Sequence, residues 1–287
     1  VTVFIGLASG LGGRHPGAGE GPPLIQKTLP FYVEWKEMIF PDKEIGHKDE
    51  HISLLNTELA EKTYTATKNY PFTVVIGGDH SCGIGTWSGI ATAQGEIGLL
   101  WLDAHMDCHR QETSETGNIH GMPLASLLGY GSSKFTEILH KSSKIKPENL
   151  FLIGVRSYEP PEKELLESLN VRIYYIEEVK ARGLQTIFEE ILIYLTAKKI
   201  KYGISLDIDF FDPSCMSATG TPEENGLLLD DFLRSYSIFD RYPPIAFEFV
   251  EFNPPCDQGE SLKGIHTLLS KVVEKRMEPS IASLLKI

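Results

Sequence analysis

Three short segments of this chain combine imidazole and carboxylate side chains at spacings that suit divalent-metal chemistry. They are Gly77-Gly78-Asp79-His80-Ser81, Asp103-Ala104-His105-Met106-Asp107 and Asp207-Ile208-Asp209. In the second and third, alternate residues of an extended segment project to one side. With His80 they offer two imidazoles and four carboxylates, more donors than a catalytic zinc site with three protein ligands takes. An oxygen-rich set of this size suits two ions bridged by shared carboxylates, with Mn²⁺ ahead of Zn²⁺ or Mg²⁺. Four carboxylates also balance two divalent charges. Alone, an Asp-x-Asp after a strand is more often a cap or turn pair, and Gly-Gly-Asp-His a tight turn. It is their joint occurrence that argues for a metal centre.

A binuclear centre makes hydroxide available near neutral pH, and hydrolysis then needs a proton carrier. His120 is the best candidate, because imidazole titrates near pH 7. It lies 13 residues beyond Asp107, in the small and polar loop Thr116-Gly117-Asn118-Ile119-His120-Gly121. Glu251 closes an apolar run, between Val250 and Phe252. A carboxylate buried there needs a cation or hydrogen bonds. It is either a cap on the following turn or the receptor for a planar cation, for which carboxylate matches guanidinium. His47, His51, His140 and His266 read as surface or packing residues. His15 stands in a glycine-rich loop without the Gly-Lys-Ser/Thr ending of a phosphate loop, which argues against nucleotide binding there.

The elements that must carry these residues follow from apolar patterning. Runs rich in Val, Ile, Phe and Leu fall at Val3–Ala8, Phe72–Ile76, Ile97–Leu102, Asn149–Val155, Val171–Ile176, Tyr202–Leu206 and Ile245–Val250. Most are continuous, as strands covered on both faces should be. Helical spacing is clearest over Ile187–Leu195 and Leu262–Val273. Further helices are expected near 22–29, 51–69, 81–93, 121–129, 160–168 and 229–239. Alternation of β and α over the whole length predicts one three-layer α/β domain, residues 1–287, with a mainly parallel sheet and helices on both faces. In such sheets ligands bind beyond the carboxyl ends of the strands. Four of the runs end there in Gly-Asp-His, Asp-x-His-x-Asp, Asp-x-Asp and Glu251-Phe252-Asn253-Pro254.

Composition is that of an ordinary globular protein, with 41% apolar and 23% charged residues among 287. The net charge of −12, from 27 basic and 39 acidic residues, disfavours nucleic acid and anionic membranes as partners. No apolar run approaches the ~18 residues of a membrane span, and the first residues lack a basic leader. The chain opens at Val1 rather than at methionine, so a short native stretch is expected to precede it. Cys82, Cys108, Cys215 and Cys256 are widely spaced without a CxxC pattern, which points to a reducing, cytoplasmic setting.

These segments together resemble the arginase (ureohydrolase) family. The resemblance rests on the motifs above and on Gly117-Asn118-Ile119-His120-Gly121-Met122-Pro123, Ser205-Leu206-Asp207-Ile208-Asp209 and Thr219-Gly220-Thr221-Pro222, in family order. Gly19-Glu20-Gly21-Pro22 extends it to nearly the whole chain. It implies an eight-stranded parallel sheet and two Mn²⁺ per subunit. One ion would be held by His80, Asp103, Asp107 and Asp207, the other by His105, Asp103, Asp207 and Asp209, with Asp103 and Asp207 bridging. It implies attack of a metal-bridging hydroxide on a guanidinium carbon, giving urea and an amine, with L-arginine converted to L-ornithine. His120, Glu251 and Asp107 become the catalytic residues, His120 shuttling a proton and Glu251 meeting the guanidinium. Thr116, Asn118, His109, Glu159, Thr221 and Glu251 become the substrate contacts. His109 stands where arginases usually carry Asn, Glu159 where they usually carry Asp, and Glu223-Glu224-Asn225-Gly226 replaces an apolar-glycine stretch. Both replacements can still meet an α-carboxylate and an α-ammonium, but their altered reach bears on preference. Agmatine, guanidinobutyrate and formimino or guanidino acids are the rival substrates, and a non-catalytic regulator on this fold is a remoter alternative. The family resemblance also implies a homo-oligomer, a trimer or hexamer.

Overall fold

The computed structural model describes residues 1–42, 46–274 and 276. Eight strands form one wholly parallel sheet: β1 (Thr2–Leu7), β2 (Glu34–Ile39), β3 (Phe72–Gly77), β4 (Ile97–Leu102), β5 (Leu150–Val155), β6 (Arg172–Tyr175), β7 (Lys201–Asp207) and β8 (Ala246–Val250). Their order across the sheet is β2-β1-β3-β8-β7-β4-β5-β6. Apolar continuity locates every strand except β2. Glu34, Lys36 and Glu37 interrupt its apolar residues, because an edge strand pairs on one side only and is half-exposed.

The helices are α1 (Gly21–Thr28), α2 (Lys48–Asn69), α3 (Gly83–Gln94), α4 (Pro123–Leu127), α5 (Ser133–Thr136), α6 (Pro160–Ser168), α7 (Ile176–Arg182), α8 (Leu184–Ala197), α9 (Leu229–Ser235) and α10 (Glu260–Val273). The helix expected over 121–129 is shorter than its pattern, and α9 passes into a 3-10 turn at Tyr236–Asp240. Strand side chains alternate between the two layers. Ile76, Leu102, Leu206, Phe247 and Phe249 pack with α1 and α7 to α10 on one face. Leu99 and Trp101 meet α3, α4 and α6 on the other face, where Val3, Ile5 and Val75 meet α2. This is the three-layer α/β arrangement that the patterning predicts.

The strand order has a direct consequence for chemistry. The four strands that end in the acidic and imidazole motifs, β3, β8, β7 and β4, are consecutive neighbours at the centre of the sheet. Parallel strands share one carboxyl edge, so all four motifs emerge side by side.

Candidate metal centre and substrate pocket

Each motif leaves its strand through a tight local turn. Asp79 caps the 3-10 turn His80–Cys82, accepting from the Ser81 amide at 3.0 Å. Asp207 caps Ile208–Phe210 in the same way, accepting from the Asp209 amide at 3.0 Å. Asp103 accepts from the His105 amide at 2.7 Å. The cap-and-turn reading of these motifs is therefore met, and in Asp207 the oxygen that does not serve the backbone faces His80 at 3.1 Å. The extended alternation expected for Asp103 to Asp107 does not occur. The segment turns, and Asp107 sits at φ +47°. Glu251 is likewise left-handed, at φ +66°. Non-glycine residues rarely adopt this conformation, and such strain concentrates at functional sites.

The six expected ligands converge. His80 Nδ1 lies 3.0 to 3.1 Å from carboxylate oxygens of Asp103, Asp107 and Asp207. His105 Nδ1 lies 3.1 Å from Asp209 and 3.5 Å from Asp103. Two groups of potential ligand atoms result, His80 with Asp103 and Asp207, and Asp103 with His105 and Asp209. Asp103 is common to both. Its Oδ2 also accepts from Trp101 Nε1 at 3.0 Å, and the Trp101 ring stacks on His80 at 4.0 Å.

The electrostatics of this cluster call for cations. Burial and Asp103 raise Asp107 from 3.8 to about 7. Burial, Asp209 and Asp103 push Asp207 well above the carboxylate range. Burial opposes the imidazolium of His80, but the adjacent carboxylates of Asp103, Asp107 and Asp207 outweigh it and hold its pKa high. His105 is raised in the same way by Asp209 and Asp103. Protons thus stand in for missing positive charge. His80 Nδ1 and Asp107 Oδ2 are buried with no hydrogen-bond partner, although 3.0 Å apart. Two buried polar atoms left without hydrogen-bond partners inside one cluster fit coordination of a shared ion, so the donor set suits two oxygen-preferring divalent metals.

Behind His80 lies a second buried carboxylate that the motifs did not reveal. Glu248 is fully buried in β8. It accepts from Trp87 Nε1 at 2.8 Å and from Ser205 Oγ at 2.6 Å. Ser205 spends its proton on Glu248, so it accepts from His80 Nε2 at 2.9 Å. That fixes the proton on Nε2 and leaves Nδ1 facing the carboxylates. An acid inside an apolar strand, three residues before Glu251, was the available signal.

A cavity of about 290 Å³ opens above the cluster. It is lined by His105, Asp107 and Asp207 on its floor and by His120, Glu251, Thr116, Asn118, His109, Glu159 and Thr221 around it. Every residue expected to contact substrate is therefore in one pocket. Glu251 is buried and accepts from the His80 amide at 2.8 Å. His120 Nδ1 lies 3.1 Å from the same oxygen of Glu251. Burial disfavours the charged ring of His120, yet Glu251 together with Asp79 and Asp107 raises it from 6.5 to about 9. Burial opposes ionisation of Glu251 as well, but His120 and the His80 amide hold it below its ordinary value. His109 and Glu159 touch each other through Nε2 and Oε2, and His109 Nδ1 meets Thr113 Oγ at 3.1 Å. Glu159 is the N-cap of α6 in a capping box with Glu162.

The glycine-rich loop of Gly10 to Gly21 holds no nucleotide motif but forms one wall of the site. The Gly12 amide donates to Asp79 at 2.9 Å, and its carbonyl accepts from the His120 amide at 3.1 Å. A Cβ at Gly12 would stand 2.3 Å from Asp79, so only glycine fits. Arg14 of this loop, Ser157 and Tyr158 also line the pocket, and sequence reasoning did not single them out. Of the remaining histidines, His51 is buried, His266 meets Thr28 at 3.0 Å and His140 meets Ser142 at 2.9 Å, all outside the pocket.

Comparison with known proteins agrees with this geometry. The sequence model of the arginase family matches residues 2–273. The chain is 40% identical to an arginase of Bacillus caldovelox over 215 residues, which is 75% of this chain and 72% of the relative. The native Bacillus caldovelox arginase structure superposes with a TM-score of 0.88 at 31% identity, covering 96% of this chain and 99% of that one. An Entamoeba histolytica arginase solved in complex with L-ornithine superposes with a TM-score of 0.86 at 28% identity, covering 94% and 97%.

Proposed function

The chain belongs to the arginase family, and from that premise we propose that it is a hydrolase that converts L-arginine to L-ornithine and urea. The observation that carries this reading is the convergence of six metal-type ligands below a pocket that ends on the His120–Glu251 pair. His80, Asp103, Asp107 and Asp207 would hold one Mn²⁺, and His105, Asp103, Asp207 and Asp209 the other. When bound, the two ions lower the pKa of water and so supply the nucleophile at neutral pH.

The side chains do the rest. Glu251, ionised and lining the cavity, receives the guanidinium, with carboxylate and guanidinium matching in plane and charge. A substrate cation that takes Glu251 competes with His120 for the same oxygen and frees the imidazolium. His120, protonated at neutral pH because its pKa is about 9, then gives a proton to the departing amine. Hydroxide adds to the guanidinium carbon, the bond to the side-chain nitrogen breaks as that nitrogen takes the His120 proton, and loss of the added hydroxyl's proton gives urea beside ornithine. Thr116, Asn118 and His109 meet the α-carboxylate end and Glu159 the α-ammonium, while Thr221, whose hydroxyl donates to Asp209 at 3.3 Å, contacts the substrate from beside the ligand cluster. Asp107 serves both as ligand and as part of the field that keeps His120 charged.

Other properties rest on narrower support. The oxygen-rich donor set favours Mn²⁺ over softer ions. A small guanidino molecule is the partner, and the net charge of −12 argues against nucleic acid and anionic membranes. No helix among the described residues is long and apolar enough to cross a membrane. A cytoplasmic location is supported by four unpaired cysteines. One continuous sheet supports a single domain over the described residues, while 277–287 of the expected 1–287 lie outside them. Assembly as a trimer or hexamer is supported by the family resemblance alone.

Urea release across L-arginine, agmatine, guanidinobutyrate and a formimino acid, with and without Mn²⁺, tests the function. We expect Mn²⁺-dependent release with L-arginine preferred. No release from any of them by Mn²⁺-loaded protein would overturn the reading.

A further inference from the structure

Both candidate metal-binding imidazoles turn Nδ1 toward the carboxylates. The group that holds the opposite nitrogen therefore decides ring orientation and tautomer. For His80 that group is Ser205, backed by Glu248. For His105 it is Glu223, whose Oε1 lies 3.5 Å from Nε2. Glu223 belongs to the Glu223-Glu224-Asn225-Gly226 stretch that departs from the family pattern, and no step of the hydrolysis uses it.

This stretch is held in place by the protein itself. The Arg156 guanidinium donates to the carbonyls of Glu223 at 2.8 Å and Glu224 at 2.9 Å. It also donates to the Asp209 carbonyl at 2.6 Å, tying the loop that bears Glu223 to the loop that bears a metal ligand. Asn225 is left-handed at φ +65°. A Cβ at Gly226 would sit 2.4 Å from the Phe211 backbone, so this turn can lie flat only with glycine. A carboxyl group on a loop held this way lies beside the outer nitrogen of a ring that is itself one-quarter exposed.

We propose that Glu223 is a positioning residue for His105. It accepts the Nε2 proton, keeps Nδ1 as the lone-pair nitrogen facing Asp103 and Asp209, and so sets affinity for the ion on that side of the centre. Histidine ligands generally depend on such a partner, and losing it weakens metal binding by roughly 10–100-fold. The effect falls on one ion of two, because His80 has its own partner in Ser205. The inference rests on the reading of His105 as a metal ligand.

Mn²⁺ titration of chelator-stripped protein, followed by calorimetry and by the Mn²⁺ electron paramagnetic resonance signal, tests it. The proteins compared are wild type, Glu223→Ala, Glu223→Gln and His105→Ala, alone and combined with Glu223→Ala. In Glu223→Ala we expect one dissociation constant to rise by roughly 10–100-fold while the other holds. Glu223→Gln should recover part of the loss, since its amide oxygen still accepts. In the His105→Ala background, removing Glu223 should leave the remaining site unchanged. Unaltered binding in both Glu223 variants, or equal weakening with and without His105, overturns the proposal. Wild-type protein that binds two ions while the Glu223 variants do not differ isolates the failure to this inference. Wild-type protein that binds none overturns the metal reading itself, and this proposal with it. If Glu223→Ala does not melt as a folded protein, the Gln variant decides.

Discussion

Replacing Glu251 by glutamine keeps the shape of the side chain and removes the charge that meets His120. At their separation of 3.1 Å, a unit pair interacts by about 5 kcal/mol at an effective dielectric constant near 20. Burial of the ring opposes that gain. The balance leaves His120 raised from 6.5 to about 9, a preference for the imidazolium of about 3 kcal/mol. Asp79 and Asp107 still act on the ring in the variant, so its titration should fall toward neutrality without reaching the value of free imidazole. Imidazole proton chemical shifts followed against pH in metal-free protein measure this directly. The stability consequence has a definite sign. The folded pKa of His120 is raised, so its contribution is complete below pH 6.5 and is lost as pH rises through about 9. Glu251 is depressed, so its contribution is present above its unfolded value and is lost as pH falls through its folded one. Denaturant unfolding of wild type should therefore weaken between pH 6.5 and about 9, and the Gln variant should weaken much less. An unchanged His120 titration in Glu251→Gln would refute the pairing as the cause.

Metal removal should also act through pH. Asp107 is raised from 3.8 to about 7, so the metal-free fold favours its protonated form and loses stability as pH climbs across that range. Bound cations relieve the penalty, and the calorimetric gap in Tm between loaded and stripped protein should widen from about pH 5 to about pH 8. A gap that does not change with pH would refute this. Trp87→Phe deletes a donor to the fully buried Glu248 and should cost roughly 1–3 kcal/mol in urea unfolding, with no measurable loss as the refuting result.

Much of the fold was legible because parallel strands buried on both faces are written as continuous apolar runs, such as Ile97 to Leu102 and Tyr202 to Leu206. β2 was not, because a half-exposed edge strand tolerates Glu34, Lys36 and Glu37. α7 escaped for a different reason. It covers two helical turns at most, too few for its spacing to stand out. At the site, the six candidate ligand positions stand in motifs that a reader can see. Glu248 and Glu223 do not. Neither carries a local motif, and their meaning comes from Ser205 and His105, residues distant in the chain.

The sequence by itself determined the chemistry available: two imidazoles and four carboxylates at strand ends, a histidine in a polar loop, and an acid closing an apolar strand. Residue type sets which ions and cations can be bound, and that needs no coordinates. Tertiary structure alone decided that β3, β8, β7 and β4 lie side by side, which brings the motifs together. It also decided that His120 pairs with Glu251, that Ser205, backed by Glu248, meets the outer nitrogen of His80, and that Glu223 lies 3.5 Å from the outer nitrogen of His105. Those outcomes depend on distances between groups far apart in the chain, and charge interactions and burial act through distance rather than through order in sequence.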